Sequence, residues 1–238
     1  MLFYTPDIAL DLQLPESEAH HCLKVLRMRA GDTLRLTDGK GNFYRAEIAG
    51  QARNDKARVN ILETIPQPPL WRGMIEIALA PAKNIDRVEW FAEKATEIGI
   101  DKISFLRCRF SERKEIATER IRKIMISAMK QSEKARLPDV QAITDFKDFI
   151  RHDFDGQKFI AHCYSNNKIH LAQAYRKNEN VLVLIGPEGD FSEEEVESAK
   201  ERGFIPVSLG ESRLRTETAA LVACQTIHIV NQIMNYEL

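Results

Sequence analysis

Residues 181–220 constrain this 238-residue chain more than any other stretch. Val181-Leu-Val-Leu-Ile185 is an unbroken apolar run that stops at Gly186-Pro-Glu-Gly189. A run this short, rich in Val and Ile and closed by Gly-Pro, predicts a buried strand of a parallel sheet. Pro187 removes a backbone donor and Gly189 admits dihedrals that other residues avoid, so the chain turns sharply there. Ser192 and Glu195 then stand at capping-box spacing, which predicts a helix beginning at Glu193. Phe204-Ile-Pro-Val-Ser208 predicts a second short strand ended by Leu209-Gly210, and from Thr216 the apolar pattern is helical to near Asn235. Two strand ends, each followed by a glycine turn and polar residues, point to one cleft at the carboxyl edge of a parallel sheet. Such edges are where α/β sheets hold ligands. A Gly-Pro-x-Gly turn alone is most often only a turn, and the pair is more specific than either half.

The rest of the chain changes its period once. Up to residue 65 it is β-rich, after a short helical stretch that starts at Pro15-Glu-Ser-Glu18 and runs through His20, His21 and Leu26. Thr33-Leu-Arg-Leu-Thr37 alternates, Asp38-Gly-Lys-Gly-Asn42 is a hairpin turn, and Phe43–Ile48 and Arg58–Ile65 supply further strands around a polar loop, Gly50–Lys56. Pro66-Gln-Pro-Pro69 reads as a linker, because three prolines stiffen the connection and cannot continue a sheet. Beyond it strands (Met74–Ala80, Lys102–Leu106, Lys158–His162) alternate with helices (Asn84–Ile98, Thr118–Lys134 and a short one at Phe146–Ile150). That alternation predicts a mostly parallel sheet with helices on both faces.

Net charge is only −1, so the whole molecule does not advertise a polyanionic partner, but charge sorts by region. Residues 20–58 hold nine Lys or Arg against four acids, and residues 107–136 hold ten against four. Two such segments suit phosphate contacts, although solvated surfaces carry similar excesses. Cys22, Cys108, Cys163 and Cys224 are scattered, with no Cys-x-x-Cys pair and no His at zinc-site spacing. Reduced thiols in the cytoplasm fit this better than a disulfide framework or a metal site. Met1-Leu-Phe-Tyr-Thr-Pro6 lacks the basic and apolar segments of a signal peptide, and no run reaches the length of a membrane span.

Taken together, Ile185-Gly-Pro-Glu-Gly189 and Leu209-Gly210 followed by Leu214-Arg-Thr-Glu-Thr-Ala219 resemble the RsmE family of small-subunit ribosomal RNA uridine-N3 methyltransferases, of the SPOUT superfamily. The likeness runs almost end to end: His21-Cys-Leu-Lys-Val-Leu-Arg27, Lys94-Ala-Thr-Glu-Ile-Gly99 and Gln131-Ser132 with Pro138 fall in the family's order. Asp190 departs from it where a third glycine is usual, as do Ser212 (usually Arg), Arg213 (usually aliphatic) and Lys134 (usually Arg). The resemblance implies a PUA-like RNA-binding β-barrel over residues 1–68 and a trefoil-knotted α/β methyltransferase domain over 69–238 that dimerises. It implies S-adenosyl-L-methionine as cofactor, no metal, and 16S ribosomal RNA or the 30S particle as partner.

On that footing, the expected cofactor residues are Leu184, Ile185, Gly186, Pro187, Glu188, Gly189, Leu209, Gly210, Leu214, Thr216 and Ala219. The chain has neither the Gly-x-Gly-x-x-Gly turn nor the Walker loop, and an adenosine without phosphates needs neither. Arg215 is the expected catalytic cation, stabilising charge on the uracil oxygens as N3 loses its proton. Glu217 is expected to orient Arg215 or accept that proton, though a carboxylate there also suits a helix start. Lys24, Arg27 and Arg29 are the expected RNA contacts. His162 and His228 read as packing residues. Two other classes compete: a non-catalytic RNA-binding or ribosome-assembly protein with the same fold, and a hydrolase using Glu188 and His162, which lacks a Gly-x-Ser-x-Gly nucleophile motif.

Overall fold

A computed structural model of the chain describes residues 1–51, 57–164 and 168–233 and divides into two units. The first comprises Met1–Leu70 with Ile126–Leu137, the second Trp71–Met125 with Pro138–Leu238.

In the first unit β1 (Leu2–Tyr4) precedes a short helix α1 (Glu16–His20), followed by β2 (Thr33–Thr37), β3 (Asn42–Gln51) and β4 (Ala57–Pro66). The sheet runs β1-β2-β3-β4, parallel at β1/β2 and antiparallel elsewhere. Alternation along β2 buries Leu34 and Leu36 and exposes Thr33 and Arg35, as period two requires. Those leucines join Phe3, Ile8, Tyr44, Ile48 and Val59 in one core. Pro66 is not yet linker: it pairs with Asn42 as the last residue of β4, a strand end where proline is tolerated. Of the expected loop Gly50–Lys56, positions 52–56 lie outside the described residues. Helix α1 passes into a π-helical turn at His21–Val25, and Arg27 then adopts φ +56°.

Among the described residues the second unit carries seven parallel strands. In chain order its elements are β5 (Ile75–Leu79), α2 (Ile85–Ile98), β6 (Lys102–Arg107), α3 (Thr118–Gln131, whose last turn and a half belongs to the first unit), β7 (Asp139–Asp145), α4 (Phe146–Phe149), β8 (Gln157–Ala161), β9 (Ile169–His170), α5 (Leu171–Ala174), β10 (Val181–Ile185), α6 (Glu193–Glu201), β11 (Ile205–Ser208) and α7 (Thr216–Ile233). Sheet order is β7-β6-β5-β10-β8-β11-β9, so the apolar run at 181–185 is central and wholly buried. On one face Leu182, Leu184 and Ile160 pack with Phe191, Val196 and Ala199 around α6. On the other, α7 packs against α2, β5 and β10.

Helix α2 ends at Gly99, which has φ +131°. A Cβ there would fall 2.7 Å from the Trp71 ring, and its carbonyl accepts from His228 Nε2 at 2.6 Å and Cys224 Sγ at 3.2 Å. His228 is thus a packing residue with a backbone partner. All four cysteines are free, and burial pushes the Cys224 thiol up to about 12. Helix α3 stops at Gln131, short of Lys134, and β1, β7, β9 and α5 have no counterpart in the sequence reading. The part of the last helix expected beyond Ile233 lies outside the described residues.

The hairpin turn is organised by a buried carboxylate. Asp38 accepts from the Lys40 and Asn42 N–H groups at 2.7 and 3.1 Å, from Asn42 Nδ2 at 2.7 Å and from Tyr44 Oη at 3.0 Å. Burial alone would raise its pKa, but these donors together hold it below the ordinary carboxylate range. A depressed folded pKa contributes stability above the unfolded value, about 4, that is lost as pH falls through the folded one. Replacing Asp38 by Ala is therefore expected to lower stability by about 2–3 kcal/mol at neutral pH, since several donors lose their partner. In urea unfolding the gap between the two proteins should narrow steadily below about pH 4.

Candidate active site

Ile185, the last residue of β10, lies opposite Leu79 of β5 and Ala161 of β8, so the segments leaving these three strands meet at one sheet edge. Gly186 begins the turn, and a Cβ there would sit 3.0 Å from the Phe191 nitrogen. Glu188 is exposed and its carboxylate accepts from the Lys83 N–H at 3.0 Å, joining the turn to the segment after β5. Asp190 closes the turn with an N–H bond to the Pro187 carbonyl at 2.9 Å. Its φ of +66° explains why glycine suits this position, and aspartate is among the few other residues that tolerate it. Here the side chain does what glycine could not. Asp190 Oδ2 accepts from the Cys163 N–H at 2.7 Å and Oδ1 from the Phe191 N–H at 2.8 Å, binding the turn to the segment after β8.

The start of α7 is fastened to the same turn. Thr216 is buried, and its Oγ1 donates to the Gly186 carbonyl at 3.0 Å. Leu209, Leu214 and Ala219 are half-buried, whereas Ile185 and Pro187 are buried and Leu184 belongs to the core under α6. Gly210 has φ +121°, with nothing within 4 Å of where a Cβ would begin. Gly189 is exposed and meets Phe110 of the segment after β6. The eleven expected cofactor residues thus gather at one edge, with Leu184 able to offer only backbone.

Arg215 is exposed, immediately before the buried Thr216. The Glu217 carboxylate is buried, 3.8 Å from Arg87 Nε on α2. Nothing local in the sequence signals Arg87, Lys83 or Cys163, because each reaches the site through folding alone. His162 lies half-buried beyond β8, its ring nitrogens buried without a hydrogen bond among the described residues, and desolvation lowers its pKa. In the first unit, Lys24, Arg27 and Arg29 are all exposed on and just after the π-helical turn. Among the described residues no three His, Cys, Asp or Glu side chains come together as a metal site would need.

Residues 69–228 match the family described as RNA methyltransferase domain, and residues 14–61 match the RNA methyltransferase PUA domain. The chain belongs to the RsmE family of RNA methyltransferases. The crystal structure of a probable rRNA-methyltransferase from Porphyromonas gingivalis is 46% identical, with a TM-score of 0.92 over 98% of this chain and 99% of that one. A ribosomal RNA small subunit methyltransferase E from Neisseria gonorrhoeae, solved bound to S-adenosyl methionine, is 27% identical, with a TM-score of 0.82 over 96% and 97% of the two chains. The Rickettsia conorii protein of the same name is 27% identical over 90% of this chain and 88% of its own.

Gly210 is exposed, Leu209 and Leu214 are half-buried, and the buried Thr216 bond ties the start of α7 to the Gly186 turn. Thr216→Val keeps the shape and removes the donor, leaving the Gly186 carbonyl unpaired at a cost of about 1–2 kcal/mol. The expected result is S-adenosylmethionine binding about 5- to 30-fold weaker by calorimetry, with the fold retained by circular dichroism.

Proposed function

We propose that this chain transfers a methyl group from S-adenosylmethionine to N3 of one uridine in small-subunit (16S) ribosomal RNA. What carries the reading is the end-to-end likeness to a methyltransferase E solved with that cofactor, joined to an edge in which the Leu214–Ala219 segment is anchored on the Gly186 turn. The residues expected to hold the cofactor are Ile185 to Gly189, Leu209, Gly210, Leu214, Thr216 and Ala219, with Leu184 contributing backbone. When bound, it supplies a methyl group activated on a sulfonium.

The protein's task is then to position and desolvate, since displacement at carbon needs an in-line approach. Uridine N3 carries a proton in its neutral form and must release it, leaving charge on O2 and O4. Arg215 is the residue to stabilise that charge, a role supported by its exposure at the start of α7, one residue from the Thr216 anchor. Glu217, buried opposite Arg87, serves to hold the first turn of α7 against α2. Lys24, Arg27 and Arg29 supply phosphate contacts from the first unit, in keeping with their exposure. Exposed Ile229 and Ile233 on α7 favour a homodimer through that helix. The trefoil knot stays an inference from the family, supported by the insertion of β10 between β5 and β8 and by the return of α7 to the Gly186 turn. Four free cysteines and a ribosomal substrate suit the cytoplasm.

The test is incubation with labelled S-adenosylmethionine and small ribosomal subunits from cells lacking the activity, followed by mapping of the modified nucleoside. N3-methyluridine at one site is the expected product. Label on ribose or another base would overturn the assignment, and cofactor binding without any label would favour an RNA-binding role. Arg215→Ala should cut kcat about 100- to 1,000-fold, the loss seen when one charge-stabilising donor is removed, with cofactor affinity kept.

A further inference from the structure

Phe110 is 46% exposed, while Phe105, Phe146, Phe159 and Phe191 of the same unit are at most 2% exposed. It lies in the segment after β6, against the Gly186–Asp190 turn: a Cβ on Gly189 would fall 3.0 Å from Phe110 Cβ. The backbone on both sides is fixed. Arg109 N–H donates to the buried Glu195 carboxylate at 2.8 Å, and Ser111 bonds back to Cys108 through both its N–H and its hydroxyl, at 3.1 and 3.0 Å. An exposed apolar ring on a fixed backbone beside this turn is not explained by core packing.

The surroundings indicate what would cover it. The Arg109 guanidinium lies 6.0 Å from the ring centroid and 3.1 Å from the Glu194 carboxylate, Arg113 donates to the Ala82 and Lys83 carbonyls, and Lys114 is exposed between the acids Glu112 and Glu115. An aromatic face among cations is how proteins hold unpaired bases of single-stranded RNA: the ring stacks on the base and the cations meet the phosphates. We propose that Phe110 is the stacking platform for a nucleobase of the RNA substrate next to the methyl-transfer edge. With its backbone fixed before RNA arrives, the segment loses little further entropy on stacking. Across the turn, Tyr164 is also exposed and donates from its hydroxyl to the Phe191 carbonyl at 2.8 Å, so a second ring flanks the same residues.

This inference rests on the RNA substrate proposed above, and its test has a separate readout. A fluorescein-labelled single-stranded RNA oligomer containing uridine is titrated with wild type, Phe110→Ala and Phe110→Trp, with anisotropy giving the affinity and calorimetry the S-adenosylmethionine affinity. The expected outcome is about tenfold weaker RNA binding for Phe110→Ala, wild-type RNA binding for Phe110→Trp, and unchanged cofactor affinity in both. Unchanged RNA affinity in Phe110→Ala would overturn the platform. So would a parallel loss of cofactor affinity, which would mean that the ring only props the turn. Failure of wild type to label ribosomal subunits would sink the methyltransferase reading and leave the anisotropy comparison to decide the platform.

Discussion

Burial of β10 between two parallel neighbours governs the second unit. Every residue of Val181–Ile185 is enclosed, with β5 and β8 on its flanks and packed helices above and below. A strand satisfied on all sides cannot shift register without exposing its apolar side chains, so its carboxyl end is a fixed point. The Gly186 turn starts from that point, and the segments after β5, β6 and β8 and the start of α7 are each in contact with it. The contacts are local and specific: Lys83 N–H with Glu188, Cys163 N–H with Asp190, Phe110 with Gly189, and Thr216 with Gly186. Methyl transfer asks mainly for position, and position here descends from a single enclosed strand.

The parts of this arrangement that could be read from the sequence are those with a strong local cause. An apolar run closed by Gly-Pro had one sensible interpretation, and the Ser192–Glu195 capping box is present as its spacing implied. Other elements carry no local mark. Strand β7 is Asp-Val-Gln-Ala-Ile-Thr-Asp at the margin of the sheet, mostly half-buried or exposed, and so lacks the apolar run that betrays a central strand. β1 has three residues and β9 two, too few to show any period. That Ile126–Leu137 belongs with the first unit depends on pairings such as Gly41 N–H with the Ala135 carbonyl, between residues far apart in sequence.

The site divides the same way. The turn glycines and the Thr216 position, which the structure joins at the Gly186 carbonyl, could be named from motif and spacing. Partners could not: Arg87 meets Glu217 because α2 packs on α7, and a pairing across helices leaves no trace in either segment. Asp190 is instructive, because from sequence it is only a departure from a glycine pattern. In three dimensions it keeps the left-handed backbone that the glycine would supply and adds a carboxylate that two N–H groups use.

That carboxylate also changes how the edge can move. Glycine would leave the β10 turn tied to the segment after β8 by the Tyr164–Phe191 bond, and the Cys163–Asp190 bond adds a second tie at the turn itself. A visiting molecule then meets walls whose relative freedom was already surrendered on folding, and less of its own binding energy goes into ordering them.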